Sequence, residues 1–120
     1  FDLARLLVDM IETDKYGYYH ATNSELPETD SGFDENGTKT GYISWYDFTK
    51  EIYRQAGYDT KVTPVTTEEY GLSKAVRPFN SRLDKSKLVD NGFKPLPTWP
   101  DAVKRYLEIL KKQGFFDNLK

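Results

Sequence analysis

Two runs of this chain alternate as strands do, "YGYYHATN" at 16–23 and "KVTPV" at 61–65, and a helical run lies between them. In the first, Tyr18, His20 and Thr22 face one way and Tyr19 and Ala21 the other. The order strand, helix, strand allows a parallel pair. Two strands do not make a free-standing sheet. Pro64 further confines the second run to an edge or ends it early. The helices must therefore carry the core, and the strands must lean on a sheet supplied from elsewhere. The expected class is α/β, with about four helices and two short parallel strands in one domain over 1–120.

The helices are read from apolar spacing. Leu3, Leu6, Leu7, Met10 and Ile11 recur at i, i+3, i+4, i+7 and i+8, one stripe of an amphipathic helix. Asp2 is its expected cap, and Lys15-Tyr16-Gly17 its end. Ser44 opens a second helix with Asp47 three residues on, a capping-box variant. Trp45, Phe48 and Ile52 form its expected buried face, and Gly57 suits the position after its last turn. The segment "TTEEYGLSKAVRPFNSR" reads as irregular. Asp84 is placed to cap a short helix through Leu88 that ends near Gly92. After the stiff connector "PLPTWP", Thr98 is the expected cap of the last helix. Trp99, Val103, Tyr106, Leu107 and Leu110 are its stripe, and Gly114 closes it.

Residues 24–41 are a long acidic loop, poor in large apolar side chains. Loops of this length tend to have a function or to move. Its end, "DENGTKTGYISWYDF", has the look of a calcium loop. Setting Gly41 at the sharp turn puts Asn36, Thr38 and Thr40 at the early ligand positions and Asp47 at the last. That supplies one carboxylate where several are normal, and no helix enters the loop. Gly41 therefore reads as a turn residue and Ser44 as a helix cap. Glu25, Glu28, Asp30, Asp34 and Glu35 read as a solvated face rather than a metal site.

Composition narrows the function classes. The chain has 120 residues, 38% of them hydrophobic and 15% aromatic, so it folds. A net charge of −2 with no run of Lys or Arg argues against nucleic acid as a partner. The absence of cysteine removes thiolate chemistry and disulfides, and fits a cytoplasmic protein. No apolar run approaches the roughly 20 residues a membrane helix needs. The chain opens on a helix without an initiator Met, which reads as a segment of a longer protein or as a processed chain.

The residues with candidate chemistry are few. His20 is the only histidine, and no Ser/His/Asp set can be assembled around it. Arg77 is more informative, because Pro78 fixes the backbone beside it. A guanidinium on a rigid segment suits a phosphate, with which its fork makes two parallel hydrogen bonds; pairing with a surface carboxylate is the alternative. Asn80 and Ser81 add neutral hydrogen-bonding groups, and Arg82 and Lys85 add charge.

"RPFNSRLDKSKL" followed by "GFKPLPTWPDAVKRYL" resembles the C-terminal part of the dTDP-4-dehydrorhamnose reductases. So do "GYYHATN", "SWYDFTKEIYRQAG" and "VTPVTTEEY", in the same order. The resemblance implies the substrate-binding portion of an extended short-chain dehydrogenase/reductase. In that family an N-terminal Rossmann domain binds NADPH or NADH and carries a Tyr-x-x-x-Lys pair. The C-terminal part helps to hold a dTDP-sugar, and the product is a precursor of bacterial cell-surface polysaccharide. This chain has no Gly-rich fingerprint. Tyr70 and Lys74 have the catalytic spacing but stand in the irregular segment, which reads as coincidence. The resemblance thus implies a sugar-nucleotide-binding domain without its own cofactor or catalytic residues, partnered by a Rossmann domain. It places Arg77 opposite the nucleotide diphosphate. Asn80 and Ser81 are expected to shape the segment, and His20 and Asn23 end their strand on the substrate side. Residues 24–41 look longer than the matching connection in many relatives and inherit no role. The alternative is a non-catalytic interaction module of the same ancestry. The module would dock its apolar patch on another protein, whereas a domain without its Rossmann partner would self-associate through the uncovered face.

Overall fold

The computed structural model describes residues 1–71 and 74–118. Leu72 and Ser73, which lie between Tyr70 and Lys74, fall outside the described residues. Five α-helices are present among the described residues: α1 (Asp2–Ile11), α2 (Trp45–Ala56), α3 (Thr67–Tyr70), α4 (Ser86–Asp90) and α5 (Trp99–Lys112). A 3-10 turn, Phe115–Asn118, follows α5. The four helices read from apolar spacing correspond to α1, α2, α4 and α5. The single turn α3 forms inside the segment expected to be irregular. It does so because Thr66 and Glu69 close a reciprocal capping box around it.

α2 forms as its sequence directs. The Ser44 hydroxyl accepts from the Asp47 N–H, the Asp47 carboxylate accepts from the Ser44 N–H, and Gly57 closes the helix at φ +78°. α1 differs in detail from expectation. Phe1, not Asp2, stands at its cap, and the Asp2 carboxylate in the first turn is engaged by Arg105 and Asn23. Thr98 holds the cap position of α5 without a side-chain bond to the helix.

The two expected parallel strands are not formed. Among the described residues, pairing is limited to three isolated bridges, Ser24 with Thr98 (parallel), Leu26 with Gly41 and Phe33 with Lys39 (both antiparallel). Residues 61–65 join no ladder. The extended chain at 18–24 does find a partner, but it is the connector before α5. The Ser24 N–H donates to the Pro97 carbonyl (3.0 Å), and the Trp99 N–H donates to the Ser24 carbonyl (2.9 Å). The next N–H on that side of the connector would be residue 97's, and Pro97 has none, so the ladder stops after one bridge.

Two apolar centres hold the helices. In the first, Leu6, Leu88, Phe93 and Leu96 are buried together, with Met10, Tyr19 and Ala21 packed against them. Tyr19 meets Phe93 edge-on at 5.9 Å. In the second, Phe48 of α2 stacks edge-on against the buried Trp99 of α5 at 5.6 Å. Trp45, expected in the core, is 83% exposed and meets Phe48 edge-on at 5.9 Å. The centres are small. The radius of gyration is 17.1 Å, where a compact chain of this length would have about 14 Å. Phe1, Ile11, Val76 and Phe79 all lie on the surface.

Candidate functional site

The long loop is a folded unit. The Asp34 carboxylate accepts from the N–H groups of Asn36 (2.9 Å) and Thr38 (2.7 Å), which turns the chain back on itself. The bond from the Thr38 N–H leads in holding its pKa below the usual carboxylate value. The Leu26–Gly41 bridge brings the loop's ends together. Thr38, Thr40 and Gly41 are buried, and the Thr38 hydroxyl points at the Glu51 carboxylate of α2 (3.4 Å). Glu51 is itself buried and accepts from Arg54 Nε (2.7 Å), Arg54 Nη2 (2.6 Å) and Gln55 Nε2 (2.7 Å). Gln55 Nε2 also donates to the Pro100 carbonyl, so the same cluster reaches α5. Among the described residues no group of three or more His, Cys, Asp or Glu converges as a metal site would.

Beside the loop's ends runs the segment that carries Arg77, Asn80 and Ser81, all three exposed. Arg77 makes no hydrogen bond or ion pair with the described residues, so its guanidinium is available. The Asn80 carboxamide oxygen accepts from the Arg82 N–H (3.0 Å) and fixes a turn there. The Arg82 guanidinium lies over the Tyr42 ring at 4.7 Å. Lys85 pairs with Glu25 and donates to the Thr22 hydroxyl (3.2 Å). His20 is exposed, and its charge adds to the Ser86 N–H bond that keeps the Asp84 carboxyl acidic.

Asn23 stands apart from this group. Its amide donates to Asp2 (3.0 Å) and to the Pro97 carbonyl (3.1 Å). It lines a cavity of about 650 Å³ between α1 and α5, beside Asp2 and Arg105. There Arg105 forks onto Asp2 at 2.9 and 2.6 Å and also holds Asp101 at 2.8 Å. Its hydrogen bond with Asp2, followed by that with Asp101, leads in raising the arginine's pKa. A second concavity, of about 300 Å³, is lined by Tyr46, Lys50, Tyr53 and Tyr58. Arg77, Asn80, Ser81 and His20 line neither.

The structure thus brings His20, Asn80 and Ser81 into one neighbourhood with Arg82, Lys85, Glu25 and Tyr42, and gives Asn23 a tethering place elsewhere. Sequence spacing could have shown part of what was missed. Glu51, Arg54 and Gln55 stand at i, i+3 and i+4, and Asp101 with Arg105 at i, i+4. No local signal pairs Arg82 with Tyr42 or Lys85 with Glu25, which are 40 and 60 residues apart.

A family model described as the RmlD substrate binding domain matches residues 1–112. The chain belongs to that family. The spore coat polysaccharide biosynthesis protein SpsK of Bacillus subtilis (strain 168) is 32% identical over 107 residues, which are 89% of this chain and 31% of that protein. A crystal structure of dTDP-4-dehydrorhamnose reductase from Bacillus anthracis str. Ames, in complex with NADP, superposes with a TM-score of 0.70 at 33% identity. It covers 89% of this chain and 32% of the reductase. The RmlD-type chain therefore spans about a third of the length of each of these relatives. The resemblance carried by "RPFNSRLDKSKL" and "SWYDFTKEIYRQAG" is borne out, and the extended reductase fold with it; the strand detail is not. No helix among the described residues is long and apolar enough to cross a membrane.

Proposed function

We propose that this RmlD-type domain is one wall of a cleft that grips a dTDP-sugar. The protein it serves would reduce dTDP-4-dehydro-L-rhamnose to dTDP-L-rhamnose with NADPH or NADH, in the cytoplasm. The observation that carries the reading is Arg77, a guanidinium beside a proline with no partner among the described residues, in a domain of a substrate-binding family. Such a fork suits a diphosphate, whose oxygens it meets with two parallel hydrogen bonds. Asn80 and Ser81 shape the segment, and His20 stands at its rim.

A nicotinamide dinucleotide is commonly held by a strand, a Gly-rich turn and a helix N-terminus. The described residues contain no strand to begin such a unit, so they do not fit that group. In this reading the cofactor and the reacting groups belong to a Rossmann portion. That portion would cover Phe1, Val76 and Phe79, which are 92%, 102% and 96% exposed here. The same exposure favours the second reading, a non-catalytic module that docks on another protein or on itself through this surface.

The two are separated by titrating dTDP into the full-length protein and into its Arg77→Ala variant. Removing a charged hydrogen bond between guanidinium and phosphate costs about 1.5–3 kcal/mol, which weakens affinity roughly 10- to 150-fold. Unchanged affinity in the variant removes Arg77 from the site. No dTDP binding by the unaltered protein removes the cleft reading and leaves the interaction module.

A further inference from the structure

The resemblance assigns the long loop at 24–41 no role in gripping the dTDP-sugar, but its surroundings supply one. Residues 80–85 reach the rest of the domain through polar and ring contacts that end on residues 22–42. Arg82 lies over Tyr42, and Lys85 pairs with Glu25 and donates to the Thr22 hydroxyl. Glu25 stands at one end of the loop and Tyr42 just beyond the other, and the Leu26–Gly41 bridge holds these ends together. The loop in turn rests on α2 through Thr38 and the buried Glu51. Its closed ends therefore form a clasp with a fixed base, and it holds Arg82 and Lys85, the C-terminal end of the segment that carries Arg77.

We propose that Glu25 and Tyr42 are positioning residues for substrate binding. By holding Lys85 and Arg82 they fix where the segment presents Arg77, and so set affinity for the nucleotide diphosphate. The proposal rests on the dTDP-sugar reading of Arg77. The Lys85–Glu25 pair is partly shielded, with the lysine side chain only 16% and the glutamate 31% exposed, so salt screens it less than a surface pair. The Arg82–Tyr42 pair sets a cation over a ring face, which a neutral side chain does not replace. A flexible segment would have to be ordered each time a ligand bound, and the clasp removes part of that cost.

The test uses the full-length protein. Glu25→Gln and Tyr42→Leu are each expected to raise the Kd for dTDP and the KM for the sugar nucleotide about three- to tenfold, with kcat within twofold of the unaltered enzyme. The exchange Glu25→Lys with Lys85→Glu restores the pair with its sense reversed. It is expected to recover most of the affinity that Glu25→Lys alone removes. A purely structural role would lower kcat and the thermal midpoint together. If Arg77→Ala weakens binding while all clasp variants bind normally, the clasp is wrong and the site stands. If Arg77→Ala also binds normally, the underlying reading fails first.

Discussion

The buried carboxylate of Glu51 should be the most sensitive polar point of the domain, and Glu51→Gln isolates its charge. The substitution keeps the side chain's size. It replaces an oxygen that accepts from Arg54 or Gln55 with an NH2 group that faces a donor. Hydrogen bonds to a charged group contribute about 1.5–3 kcal/mol and neutral ones about 0.5–1.5. Arg54 is 55% exposed and regains water when released, which discounts its share. The net cost is roughly 1–2 kcal/mol, or about 4–8 °C in Tm for a chain of this length. The assay is urea and thermal unfolding followed by circular dichroism. The pH dependence has a definite sign. Burial pushes the Glu51 carboxyl up, but Arg54, then Gln55 and Thr38, outweigh it and hold the pKa below its ordinary value of 4.5. A carboxylate depressed on folding contributes stability that is full above its unfolded pKa and is lost as pH falls through the folded one. The gap between the native protein and Glu51→Gln should therefore be widest near pH 7 and close as pH drops below about 5. Equal midpoints at pH 7, or a gap that widens in acid, would refute the assignment.

Two further outcomes follow from the core and the site. Leu88 is 1% exposed in the apolar centre with Leu6, Phe93 and Leu96, so Leu88→Ala should cost about 2–5 kcal/mol. A urea midpoint within experimental error of the unaltered chain would show that the centre does not hold α1 and α4 together. Purified residues 1–120 mixed with NADPH and dTDP-4-dehydro-L-rhamnose should give no absorbance loss at the nicotinamide band, since on the proposed reading a Rossmann portion orients the cofactor against the sugar. Measurable oxidation above the no-protein control would overturn the division of labour between the two portions.

What the sequence disclosed was local, and what it hid was not. Ser44, Asp47 and Gly57 act within one or two turns of α2, so their types and spacing suffice to place that helix. The strand reading of residues 16–23 failed for a different reason. Alternation identifies extended backbone, but a ladder also needs donors on its partner, and here the partner connector carries Pro97. The proposed site was half legible. Arg77 stands out because Pro78 and the surrounding motif mark it, whereas Lys85–Glu25 and Arg82–Tyr42 depend on how a long loop folds back. The apolar stripes hold a further lesson. Leu3, Leu7 and Ile11 share the α1 stripe with Leu6, yet Leu6 is 4% exposed and Ile11 77%. Trp45 likewise lies on the apolar face of α2 and remains in solvent. A stripe records the burial that a side chain is suited to, not the burial it has within any one domain. On the proposed architecture those two quantities differ because the cleft has a second wall. Exposed apolar residues such as Ile11, Trp45, Val76 and Phe79 then mark surface still to be covered.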